Sequence, residues 1–186
     1  AIALQYPPTG DHVQVVARLE DVQVGRLARA TPALASLAGI DVAISGQIAG
    51  NAASARDFRL LRLDLSGGEG EIELPGILPR RVDVARLRLD ASVSEDGDSI
   101  EIRDATVDFG GPRLRVKGSA VRTAGDYLVR AEGTVAGVPM ALLDSYWPLG
   151  LGPPARRWVT ANIVDGTVDA GDISLSAVVP ADNPAA

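Results

Sequence analysis

The sequence predicts a mainly β protein: a long, twisted, largely antiparallel sheet curled into a groove, with one or two short helices. Apolar and polar residues alternate strictly over long stretches, as in Val13, Val15, Ala17 and Leu19 and again in Ile40, Val42, Ile44, Gly46 and Ile48, and period two marks half-buried strands. The connectors Glu95-Asp96-Gly97-Asp98, Gly110-Gly111-Pro112 and Ala124-Gly125-Asp126 are short, which suits antiparallel hairpins because parallel neighbours need long crossovers. Only 4% of the 186 residues are aromatic, so the inward face is built from small aliphatics.

In chain order, alternation also marks strands at Phe58 to Leu65, Gly70 to Leu74, Val82 to Val93, Ser99 to Phe109, Arg113 to Arg122, Tyr127 to Val135 and Thr167 to Val179, making about nine in all. Some change phase midway. Val82 and Val84 hand over to Leu87 and Leu89, and Ile100 and Ile102 give way to Ala105 and Val107, so a bulge or face switch is expected at each. Glycines sit inside the strands at Gly46, Gly118 and Gly133, where a bend or a close backbone approach is expected.

Two interruptions read as helical, at about 26–38 and 139–163. Leu27, Ala30, Leu34 and Leu37 form one stripe, with Pro32 starting or breaking the helix. Met140 to Leu143 suits a single turn, and Pro153-Pro154 leads into Ala155, Trp158, Val159 and Ile163 at helical spacing. The whole of 1–186 is expected to be one β-rich section. The first segment lacks an initiator Met and an apolar run, so a section of something longer is expected.

Composition narrows the function. With 24 acidic against 18 basic residues, the net charge is -6, which disfavours nucleic acid. There is no cysteine, which removes thiolate catalysis and zinc-cysteine sites, and the single histidine, His12, cannot by itself make a histidine metal site or a catalytic triad. The acidic run Glu95 to Asp98 lacks the ligand ladder of a calcium loop and reads as a hairpin turn. Gly67-Gly68-Glu69-Gly70 has glycines suited to phosphate, but Glu71 and Glu73 would repel it. Carboxylate pairs such as Asp104 with Asp108 lie in strands of alternating pattern, where most face solvent, and carry no catalytic pattern. No enzyme activity and no cofactor is expected.

The densest group of large amphipathic side chains is Trp147 with Arg156, Arg157 and Trp158. These either plug one end of the sheet or meet a lipid headgroup or a neighbouring section, since Arg pairs well with phosphate. The stretch Leu143-Asp144-Ser145-Tyr146-Trp147-Pro148, followed by Ala155-Arg156-Arg157-Trp158-Val159 and Asp165-Gly166-Thr167-Val168, resembles the hallmark of large AsmA-like envelope proteins of the YhdP/TamB type from Gram-negative bacteria. The hallmark covers only about 25 residues; elsewhere the likeness is one of style, shared by many proteins with long amphipathic strands. The resemblance implies a periplasmic section of a protein anchored in the inner membrane through segments outside this chain. It also implies a hydrophobic groove that moves phospholipid between the inner and outer membranes and supports envelope integrity.

On that reading the partners are phospholipid acyl chains and adjoining sections of the parent chain. The groove candidates are Leu87, Leu89, Ile100, Ile102, Leu114, Val116, Val129, Ile173 and Leu175. The same alternation also fits a sandwich whose inner faces meet, which would make the chain a non-catalytic structural or interaction module with a filled core.

Overall fold

The computed structural model describes residues 2–5, 13–54, 57–94, 96–163 and 165–180. The strands are β1 (Ile2–Gln5), β2 (Val13–Gln23), β3 (Ile40–Ser54), β4 (Asp57–Ile72), β5 (Val82–Val84), β6 (Arg86–Ser94), β7 (Ser99–Asp108), β8 (Arg113–Thr123), β9 (Asp126–Pro139) and β10 (Thr167–Pro180). They form a single antiparallel sheet in the order β1-β2-β3-β4-β6-β7-β8-β9-β10, with β5 also on β4. Among the described residues all the strands belong to this one sheet.

Ten strands stand where about nine were expected. Phe58–Leu65 and Gly70–Leu74 belong to one strand, β4, because Gly68 and Glu69 form a bulge inside it: Ile44 pairs with Gly67 and Val42 with Gly70. The short edge strand β1 was not anticipated. The stretch from Val82 splits at Ala85, whose N–H donates to the Asp108 carbonyl at 2.8 Å.

Pairing aligns apolar residues into cross-strand rows from β2 to β10. These rows are Val15–Gly50–Leu61–Val93–Ile100–Ala120–Val129–Ala177, Ala17–Ile48–Leu63–Ala91–Ile102–Gly118–Ala131–Leu175, Leu19–Gly46–Leu65–Leu89–Ala105–Val116–Gly133–Ile173, and Val22–Ile44–Gly67–Leu87–Val107–Leu114–Val135–Gly171. No position in them carries a polar side chain. Directly opposed residues share a face, so one face of the sheet is continuously aliphatic.

The opposite face is charged. Lys117 pairs with Glu132 at 3.3 Å and Arg115 with Asp104 at 2.5 Å, and Arg103 pairs with Asp90. The Arg103 guanidinium holds the Asp90 carboxyl below the usual carboxylate range.

The expected phase changes are bulges. Between Ile102 and Ala105 the pairing slips by one residue against β8, and Arg103-Asp104 absorbs the extra position. The same device lies between Leu19 and Val22, where Asp21 takes φ 48° and its N–H donates to Ser45 Oγ at 3.0 Å.

The helical interruptions fall where expected, with different bounds. Pro32 divides the first into α1 (Val24–Ala30) and a 3-10 turn (Pro32–Leu37), since proline cannot supply the N–H that would continue the helix. The second comprises α2 (Met140–Tyr146) and α3 (Pro153–Asn162), the latter opening on its proline pair.

Antiparallel order places all of these, together with residues 73–81, at one end of the sheet. They connect β2 to β3, β9 to β10 and β4 to β5, which all turn at that end. The connections after β1, β3, β6 and β8 lie at the other end. Most of the core sits with the helices: Ala28, Val42, Val82, Val84 and Val138 are buried there.

Strong coiling brings backbones close. A Cβ built on Gly133 would lie 2.4 Å from the Arg115 carbonyl oxygen, whereas one on Gly68 would meet nothing within 4 Å. Gly133→Ala is therefore expected to lower unfolding free energy by about 1–3 kcal/mol, while Gly68→Ala stays within about 0.5 kcal/mol. Urea denaturation of both variants checks the contrast.

Candidate functional site: an apolar trough with one capped end

All nine groove candidates from the sequence lie in the aliphatic rows. Leu87 and Leu114 share one row, Leu89, Val116 and Ile173 the next, Ile102 and Leu175 another, and Ile100 and Val129 the last. Their burial is partial: eight are half-buried and Leu175 is 37% exposed. Among the described residues no second sheet packs over the rows, although Leu65 and Ala91 within them are buried. The face is a trough rather than a filled core.

At the helical end the trough is roofed. Residues following β4 meet residues following α2, although β4 and β9 are separated in the sheet by β6, β7 and β8. The Leu149 N–H donates to the Ile77 carbonyl at 2.9 Å, and Arg80 reaches Asp144 at 3.5 Å. These contacts bridge the two arms of the curl. Trp147 donates its indole N–H to the Leu151 carbonyl at 2.6 Å, which fixes the 147–151 loop. Below, the Phe109 and Tyr146 rings meet at 5.0 Å between centroids. Burial, with Asp83 nearby, raises the Tyr146 phenol pKa above its ordinary value.

Beneath this roof lies a cavity of about 390 Å³, bounded by Ile77, Leu78, Phe109, Tyr146 and Leu151 above and by Leu114, Val116, Val135, Ile173 and Leu175 of the sheet. The charged residues at its margin are Arg113 and Glu132, and Arg113 is paired with Asp108 at 3.2 Å. Such a site suits an apolar ligand held by shape and offers no free cation to an anion.

The amphipathic candidates separate. Arg156 is 20% exposed and donates to Asp144 Oδ1 at 2.5 Å, so it joins α3 to α2 and is not free for a headgroup. Its Nε has no partner among the described residues. Arg157 is exposed. Trp147 belongs to the roof. Trp158 does not plug the sheet end: it stands 62% exposed on the outer side of α3, because the helix turns Arg156, Val159 and Thr160 inward instead.

The acidic run behaves as a turn. Asp96 Oδ1 accepts from Ser94 Oγ at 2.6 Å and from the Asp98 N–H at 2.9 Å, and both lower its pKa. Glu95 and His12 lie outside the described residues. Among the described residues no cluster of three or more His, Cys, Asp or Glu side chains could hold a metal, and no helix is long and apolar enough to cross a membrane.

Sequence reasoning missed the roof segment 73–81. Its signal was Ile77-Leu78, an apolar pair set between Pro75 and Pro79; prolines forbid a central strand there, yet the pair is too apolar for an ordinary solvated loop.

Comparison of the chain with family models, with curated proteins and with solved structures finds no match.

Asp144 is the shared anchor of Arg80 and Arg156. Asp144→Ala leaves Arg156 without its carboxylate and is expected to cost about 1–3 kcal/mol locally. Hydrogen exchange should show faster amides across α2 and α3, with the β7–β8–β9 ladder unchanged.

Proposed function

We propose that the chain is a non-catalytic, phospholipid-binding section of a periplasmic AsmA-like envelope protein, its trough holding acyl chains during transport between the inner and outer membranes. The observation that carries this reading is the set of uninterrupted aliphatic rows, over which no second sheet packs among the described residues. Uncovered apolar area on that scale is costly in water, and each methylene that covers it gains about 0.8 kcal/mol. The rows are uniform Val, Ile, Leu, Ala and Gly, so no strong contact would trap a chain and headgroups would stay in water along the open side.

The resemblance of the Leu143–Pro148 and Ala155–Val159 stretches to the AsmA-like hallmark supports the same reading and supplies the envelope setting. Anchoring to a membrane and contact with adjoining sections would then fall to other parts of the parent protein.

Native mass spectrometry of gently purified protein tests this. Copurified or added phospholipid should be retained by the parent chain and lost from Leu89→Asp and Val116→Asp variants that keep their β-sheet circular dichroism. Lipid-free protein that also refuses added phospholipid would favour a structural module.

A further inference from the structure

We propose that the cavity beneath the roof is a blind pocket for the methyl end of one phospholipid acyl chain, so that lipid enters this section tail first. The inference rests on the phospholipid reading above and adds an orientation and a stopping point.

Three features of the site argue for it. The first is shape: the sheet part of the cavity runs along successive rows, from Leu114 and Val135 through Val116 and Ile173 to Ala131 and Leu175. Rows two residues apart are spaced by roughly 6–7 Å, so the cavity reaches across three rows from the roofed end into the trough. At about 390 Å³ it holds roughly a dozen groups of the ~30 Å³ that a water occupies in the liquid, a size close to that of a methylene. That is a chain end and not a whole phospholipid.

The second is chemistry. A phosphate or carboxylate entering first would need a cation, but Arg113 is committed to Asp108 and Arg80 and Arg156 to Asp144. Residues such as Leu78, Phe109 and Leu151 offer only apolar surface. The third is closure. The Leu149–Ile77 hydrogen bond and the Arg80–Asp144 pair span the trough above the pocket, and among the described residues no helix stands at the other end. A chain sliding in from the open end therefore stops here, and its headgroup remains further along the trough.

The two tryptophans give the test. Trp147 lies in the roof next to Tyr146 and Pro148 of the pocket wall, and Trp158 is exposed on α3, so the Trp158→Phe variant reports on Trp147 alone. Phosphatidylcholine carrying a nitroxide near the methyl end of one chain, or alternatively near its carboxyl end, is added to the delipidated variant, and binding is counted in parallel by native mass spectrometry. Quenching of Trp147 at least twofold stronger by the methyl-end label is expected, and Val135→Phe, which fills the pocket, should abolish that difference while the sheet remains folded. Equal quenching, or stronger quenching by the carboxyl-end label, with lipid bound would overturn the tail-first pocket and leave the phospholipid reading standing. No bound lipid in either measurement would overturn both.

Discussion

Everything in this structure depends on keeping the aliphatic residues of eight strands, β2 to β4 and β6 to β10, in phase. A slip of one residue in any strand would turn its apolar side chains to the charged face. At four places where the sequence spaces successive apolar residues by three instead of two, the backbone absorbs the odd residue. Glu20-Asp21 does this in β2, Gly68-Glu69 in β4, Ala85 between β5 and β6, and Arg103-Asp104 in β7. The bulges are thus what allow rows to run from Val22 to Gly171 without a polar side chain.

The charged face reinforces the same register. Ion pairs such as Lys117–Glu132 and Arg115–Asp104 link neighbouring strands, and exposed pairs of this kind add little stability individually. Their larger effect is directional: a shifted register would set like charges opposite one another. Curling follows from twist together with the close backbone approach at Gly118 and Gly133, where a Cβ would come within 2.5 Å and 2.4 Å of a neighbouring carbonyl oxygen. The roof then needs only a few contacts, because the curled sheet already brings the ends of β4 and β9 toward each other.

Much of this was legible in the sequence because period-two patterning and short turns are local signals. The strands, both helical interruptions, the phase changes and the shared face of Leu87 through Leu175 could all be read that way. The roof could not. It joins Ile77 to Leu149 and Asp144 to both Arg80 and Arg156, contacts between residues far apart in the chain that no local pattern encodes. The choice between a plugging and an exposed Trp158 could not be read for a related reason: helical spacing gives a stripe but does not say which side of a short helix meets the sheet. That the described strands form one sheet was likewise not legible, since the alternation of residues fits a trough or a sandwich.

The central claim is that the aliphatic face is uncovered toward the open end and closed beneath the roof. The chain has no cysteine, so single-cysteine variants can be read without background. Val129→Cys on the trough, Val121→Cys on the outer face, where the native residue is 45% exposed, and Val138→Cys at the roofed end, where it is 1% exposed, would be timed against a small maleimide in delipidated protein. The account predicts that the cysteine at 129 reacts nearly as fast as that at 121, that the one at 138 is far slower, and that added phospholipid protects 129 alone. Slow reaction at 129, matching 138 with or without phospholipid, would contradict it.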